Sequence, residues 1–218
     1  MRSAVLWTGG KDSALALHRA ADQGVTDLVT LVPPDAHFRA HDLTLMAWQA
    51  RAIGLPHRQI VVEAPYREGY ERALGELRAS GIERVITGDI AEVDGQPNFV
   101  SSCAERVGMN VSLPLWGVDR RGHLREIVAL GFDVVLTFVN EPWLDATWVG
   151  RHLDVAALLE VEALSRSNGL DPAGENGEYH SMVLAGPGWR SSLAVTGRTL
   201  SAPPRHWLEV SDVAIRPE

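Results

Sequence analysis

Residues 5–13 read V-L-W-T-G-G-K-D-S and contain Lys11, the only lysine among the chain's 20 Lys and Arg residues. Elsewhere a simple positive charge is supplied by arginine, so this position needs something that arginine does not offer. An ammonium on a flexible stem follows a phosphate that changes geometry, whereas a guanidinium is a larger, planar fork. Two adjacent glycines let backbone approach an anion closely. A helix start directly behind them points free N–H groups and the positive end of its dipole at the same place. Thr8 and Ser13 add hydroxyls. Phosphate is the expected guest of Thr8, Gly9, Gly10, Lys11, Asp12 and Ser13, against the alternative of a plain capped helix start with a surface lysine.

Asp12 has two readings, a ligand to Mg²⁺ that spreads charge over bound phosphates or a helix cap. Gly88 and Asp89 end an apolar run and either face a ribose or α-phosphate or make a turn. Glu175, Asn176, Glu178 and His180 crowd polar groups into the loop G-L-D-P-A-G-E-N-G-E before an apolar run. They form a ligand cradle or a solvated hairpin turn. Alternation would place Glu178 and His180 on one strand face. Asp145, Trp148 and Arg151 could position a substrate or pair across a helix start. Trp116, beside Gly117, is a candidate ligand wall, the other tryptophans reading as core or interface. Cys103 reads as packing on an amphipathic helix. The histidines carry no H-E-x-x-H motif and no zinc site is assigned.

The elements that must position these residues follow from periodicity. Short apolar runs at Ala4–Trp7, Leu28–Val32, Gln59–Val62, Arg84–Thr87, Val111–Leu115 and Val134–Val139 predict strands. Amphipathic stretches at Ser13–Gln23, Leu43–Ile53, Tyr66–Ala79, Asn98–Val107 and Leu124–Leu130 predict helices between them. The alternation predicts an α/β fold, a doubly wound, mostly parallel sheet with helices on both faces. After a helix near Val155–Ser167, β-like runs at Tyr179–Leu184, Ser192–Val195 and Trp207–Val210 predict a smaller α+β part. The expected division is a nucleotide-binding domain over 1–144 and a substrate-binding domain over 145–218. The glycine turn then falls at the carboxyl end of the first strand, where open parallel sheets bind ligands.

Neither common phosphate-loop pattern fits. Walker A fails because Val5 stands where its first glycine belongs and Asp12 follows the lysine, and G-x-G-x-x-G is absent. The stretch resembles the S-G-G-x-D-S loop of the PP-loop ATP pyrophosphatases, of the Rossmann-like HUP class and adenine nucleotide alpha hydrolase superfamily, with Thr8 for serine. Further segments are Gln49–Pro56, Val85–Ile90, Leu113–Gly117, Leu144–Arg151 and Pro172–His180. In this order they resemble the diphthine-ammonia ligase (diphthamide synthetase) family, from Leu6 to about Leu184. The resemblance implies an ATP-dependent ligase that forms a C–N bond. A carboxylate is adenylated with release of pyrophosphate, then ammonia displaces AMP. It implies ATP and Mg²⁺ at Thr8–Ser13, Gly88 and Asp89, with Asp12 the metal contact. Lys11, Asp12 and Glu178 are the catalytic candidates, and Trp116, Glu175, Asn176, Glu178 and His180 the substrate contacts. Arg39 follows Phe38 where the family commonly has histidine, and Glu92–Asn98 also departs from it.

Composition bounds the alternatives. The chain of 218 residues is 45% apolar and 22% charged, with formal net charge −8 and a single cysteine. That excludes an internal disulfide framework, and no Lys/Arg run offers a broad nucleic-acid surface. With no signal-peptide pattern and no apolar stretch near membrane-span length, the expectation is a cytoplasmic protein that meets ATP, ammonia and a carboxylate acceptor, either a modified protein side chain or a small molecule. A homodimer is compatible with the sequence. Two other readings remain open, a different PP-loop reaction such as tRNA modification and a non-catalytic adenine-nucleotide-binding regulator. The lone cysteine and acidic balance weigh against sulfur transfer to RNA.

Overall fold

The structure, a computed structural model, describes residues 1–36, 40–92 and 95–216. Phe38, Arg39 and the Val93–Asp94 part of the Glu92–Asn98 segment lie outside the described residues. The chain forms two compact units, one of Met1–Thr8, Asp12–His37 and Leu55–Val118, the other of Gly9–Lys11, Phe38–Gly54 and Asp119–Glu218.

The first unit is built on β1 (Ser3–Leu6), β2 (Val25–Val32), β3 (His57–Val61), β4 (Arg84–Ile86) and β5 (Asn110–Ser112), in the order β3-β2-β1-β4-β5. All four pairings are parallel. β1 lies at the centre, and both Ala4 and Val5 are wholly buried, as expected of a strand covered on both faces. On one face Ala4, Val29 and Val85 pack with Leu74, Leu77, Val100, Cys103 and Ala104, from α3 (Tyr66–Ala79) and α4 (Phe99–Arg106). α1 (Lys11–Arg19) follows the glycine turn and contributes buried Ala14, Leu15 and Ala16.

The second unit holds β6 (Asp133–Asn140), β7 (Tyr179–Ala185), β8 (Ser192–Ala202) and β9 (Arg205–Arg216), in the order β7-β6-β9-β8. Every pairing is antiparallel. Here one expectation fails: Val134–Val139 reads as another strand of the parallel sheet, yet β6 pairs with β7 and β9. Its buried V-V-L-T-F-V run announces a strand enclosed on both sides but carries no information on partner direction. The last two β-like runs also grow into a long hairpin, because their outer residues alternate too weakly to be read from sequence. α2 (Leu43–Ile53) packs on the strands of this sheet, and α5 (Arg120–Ala129) packs on α6 (Val155–Asn168). Arg125 Nε joins those two helices by donating to Glu162 Oε1 at 2.7 Å.

Local sequence fixes where several helices begin. Asp42, Asn98, Asp119 and Asp154 each accept from the backbone N–H three residues on, satisfying a donor that the first helical turn leaves unpaired.

Candidate functional site

In the first unit, Thr8 Oγ1 donates to Ser13 Oγ at 3.2 Å, closing the glycine turn with the two hydroxyls singled out above. Asp12 is half-buried in the first turn of α1, and Ser13 is buried. Gly88, just past β4, backs this turn. A Cβ there would lie 2.7 Å from Asp12 C and 2.8 Å from Ser13 N, so the strand end can approach the helix start only as glycine. Asp89 accepts from Asn98 Nδ2 at 2.5 Å while Asn98 Oδ1 caps α4, which fixes the Asp89 carboxylate.

In the second unit, Gly9 has φ +73° and its carbonyl accepts from Val183 N at 2.9 Å and from Gln49 Nε2 at 2.8 Å. The same Nε2 donates to Val183 O at 2.7 Å, and Gln49 is wholly buried. A Cβ on Gly9 would meet Gln49 Oε1 at 2.5 Å and Met182 Cε at 2.7 Å. Lys11 N donates to Ser181 Oγ at 3.3 Å. The lysine side chain is only 4% exposed; its Nζ donates to Ala173 O at 2.5 Å and stands 5.3 Å from the centre of the Tyr179 ring.

The 171–178 loop holds itself in shape. Glu178, 1% exposed, accepts from Asp171 N, Asn176 N and Asn176 Nδ2 at 3.1, 2.9 and 3.1 Å. Asp171 accepts from Ala173 N at 2.9 Å and pairs with Arg120. Tyr179 O–H donates to Pro172 O at 2.5 Å, and Gly174 (φ +73°) leaves no room for a side chain against the Tyr179 ring. The Glu178 carboxylate is thus engaged in organising its own loop. His180 instead packs edge-on to His41 at 5.1 Å and against Phe138 at 5.4 Å, so the two side chains keep different company. Glu175 and Asn176 are exposed on the loop's rim.

Other candidates resolve into structural parts. Asp145 caps a short 3₁₀ turn, accepting from Thr147 N and Oγ1, and these bonds hold its carboxyl below the usual range. Arg151 makes a two-pronged pair with Glu160 and stacks 4.3 Å over Trp148. Burial pushes the Cys103 thiol up, the condition of an unreactive cysteine. Trp116 is 37% exposed beyond β5. His37 and His41 stand four apart, an H-x-x-x-H spacing, but His37 lies outside the described residues. Among the described residues no group of three His, Cys, Asp or Glu side chains is placed to hold a metal by itself.

Sequence reasoning did not single out Gln49, Ser181, Asp171, Tyr179, Arg120 or Asn98. Gln49 lies inside a family-like segment, and a buried-face glutamine on an amphipathic helix was the available signal. Ser181, Tyr179 and Arg120 act through contacts to Lys11 and Asp171 that are distant in sequence.

The parallel sheet with its glycine turn after β1, joined to an antiparallel part, is a Rossmann-like α/β fold of the PP-loop class. A solved structure described as a predicted subunit of tRNA methyltransferase from Methanocaldococcus jannaschii shares the fold, with TM-score 0.51 and 17% identity over 86% of this chain and 98% of that one. Residues 1–111 match the diphthamide synthase N-terminal domain and residues 119–213 its C-terminal domain, so the chain belongs to the diphthamide synthase family. The diphthine–ammonia ligase of Mus musculus is 25% identical over 226 residues, 89% of this chain and 83% of the mouse protein. At the level of the family the chain is an ATP-dependent ligase. Among the described residues no helix is long and apolar enough to cross a membrane.

Proposed function

We propose that the chain is an ATP-dependent amide ligase that adenylates a carboxylate and amidates it with ammonia. The observation that carries this reading is Lys11, whose ammonium leaves the glycine turn and ends on the carbonyl of Ala173, in the loop with the densest acidic and amide groups. One residue then touches both the phosphate-type turn and the loop suited to an acceptor.

Thr8–Ser13 would hold the triphosphate through backbone N–H groups, the two hydroxyls and the Lys11 ammonium. Asp12, half-buried at the helix start, fits a Mg²⁺ that keeps most of its ligands from phosphate and water; the ion would neutralise developing phosphate charge. Gly88 and Asp89 would line the nucleotide side. Glu175, Asn176 and His180 would face the acceptor, and Glu178 would set the loop's geometry. An oxygen of the acceptor carboxylate attacks the α-phosphorus, the bond to the pyrophosphate oxygen breaks, and pyrophosphate leaves. Ammonia then attacks the acyl carbon, the acyl–oxygen bond breaks with AMP as leaving group, and the nitrogen loses a proton.

The test is release of pyrophosphate and AMP from ATP and Mg²⁺, wild type beside Lys11→Ala, with and without ammonium and a panel of carboxylates including a diphthine-bearing protein. Ammonium-dependent AMP formation that disappears in the variant is expected. Tight ATP binding without pyrophosphate release under every condition would overturn the ligase and leave a nucleotide-binding regulator.

A further inference from the structure

The Lys11 ammonium occupies a small site whose chemistry is not specific to lysine. It includes a fixed carbonyl oxygen and an aromatic face. The carbonyl is that of Ala173, held because Ala173 N donates to Asp171 Oδ1 and Gly174 N donates to Asp171 O, both at 2.9 Å. The face is the Tyr179 ring, pinned by its hydroxyl on Pro172 O. Ala173 and Tyr179 are 1% and 2% exposed. Removed from water, an aromatic face and a carbonyl attract a compact cation more strongly than at the surface.

We propose that this site binds the nitrogen donor as an ammonium cation. Lys11 holds the place until bound nucleotide draws its side chain to the phosphates, and free ammonium then takes the position that Nζ leaves. The proposal rests on the amide-ligase reading for its role in turnover, whereas the binding itself is independent of that reading. A cation of this size fits where Nζ now sits, donates to Ala173 O and lies against the ring. A bare sodium ion donates no hydrogen bond, and tetramethylammonium is too large. Nucleotide should therefore bind before ammonium, since one ammonium group displaces the other.

The direct test uses the full chain carrying Lys11→Ala, which removes the stem and leaves the place of Nζ open to a free cation. Thermal unfolding is followed in ammonium chloride, sodium chloride and tetramethylammonium chloride at equal ionic strength. A saturable rise in Tm with ammonium alone is expected, lost in Lys11→Ala/Tyr179→Leu and kept in Lys11→Ala/Tyr179→Phe. Identical curves in the three salts overturn the site. Should Lys11→Ala not fold, wild type with a non-hydrolysable ATP analogue is titrated in the same salts and read the same way. In turnover, Tyr179→Leu should raise the KM for ammonium about tenfold with the KM for ATP nearly unchanged. Equal rises in both would make Tyr179 merely structural and sink the proposal. An ammonium-specific Tm shift without ammonium-dependent AMP formation would retain the site and remove the ligase reading instead.

Discussion

Gln49 and Gly9 are joined by a buried hydrogen bond of 2.8 Å, amide nitrogen to carbonyl oxygen, and the same nitrogen bridges on to Val183 O at 2.7 Å. A side chain forty residues downstream thereby fixes the first glycine of the phosphate-type turn to a strand of the C-terminal sheet. The peptide it holds is one that no other residue type could adopt there, given φ +73° and Gln49 Oε1 in the space of a Cβ.

Replacing Gln49 with leucine should therefore cost about 1–3 kcal/mol in urea unfolding, because two buried carbonyls each lose a donor, although Gly9 O keeps that of Val183 N. Gln49→Glu should cost more, because it sets a carboxylate against two carbonyl oxygens. Both should raise the KM for ATP. A glutamate variant more stable than the leucine variant would show that these bonds do not hold the turn.

Gly88 and Gly75 make a matched pair. Alanine at Gly88 would drive a Cβ into Asp12 and Ser13 backbone and should cost about 1–3 kcal/mol, with a parallel fall in pyrophosphate release. Alanine at Gly75, inside α3 with nothing within 4 Å of its Cβ, should stabilise by roughly 0.5–1 kcal/mol. Equal effects at the two positions in denaturant titrations would refute the close approach at Gly88.

Glu178→Gln keeps the size of a side chain that accepts three N–H bonds but turns one acceptor into a donor facing them. The expected loss is about 1–3 kcal/mol, together with faster amide hydrogen exchange at Asp171 and Asn176. Unchanged exchange at those two amides would remove its loop-setting role.

Burial holds His57 below its ordinary value of 6.5. Thr30 donates its hydroxyl to Trp7 O at 2.7 Å, so its contact with His57 Nε2, also 2.7 Å, has the imidazole N–H as donor. The unfolded chain takes up a proton on this histidine more readily than the folded one. Stability should thus fall as pH drops below about 6.5 and stop falling from this cause once the folded imidazole is itself protonated. Urea midpoints between pH 7.5 and 5 should decline less in His57→Gln than in wild type, and parallel declines would assign the effect elsewhere.

The parallel sheet was legible because its strands are short apolar runs separated by amphipathic helices, and the starts of α2 and α6 fell where the periodicity begins, whereas α5 starts at Arg120, four residues before the expected Leu124. The turn at Thr8–Ser13 could be found by its glycines and its single lysine, since close backbone approach and a mobile ammonium restrict the residue types that serve. The partner of β6 could not be found that way. A run buried on both faces satisfies either strand direction, and only the chain's return through β7 and β9 selects antiparallel pairing.

What the sequence determined by itself is local: which segments are strands and helices, where the turn that accepts an anion must lie, and which loop gathers acids and amides. Those properties depend on neighbours a few residues away, which composition and spacing record. The tertiary structure decided the rest. It set Gln49 under Gly9, bound the Glu178 carboxylate into its own loop, and placed the Lys11 ammonium on Ala173 O beside the Tyr179 ring. The Lys11–Ala173 bond joins positions 162 residues apart. They arise because a buried polar group must find a partner wherever the packed chain brings one, a requirement that no window of sequence displays.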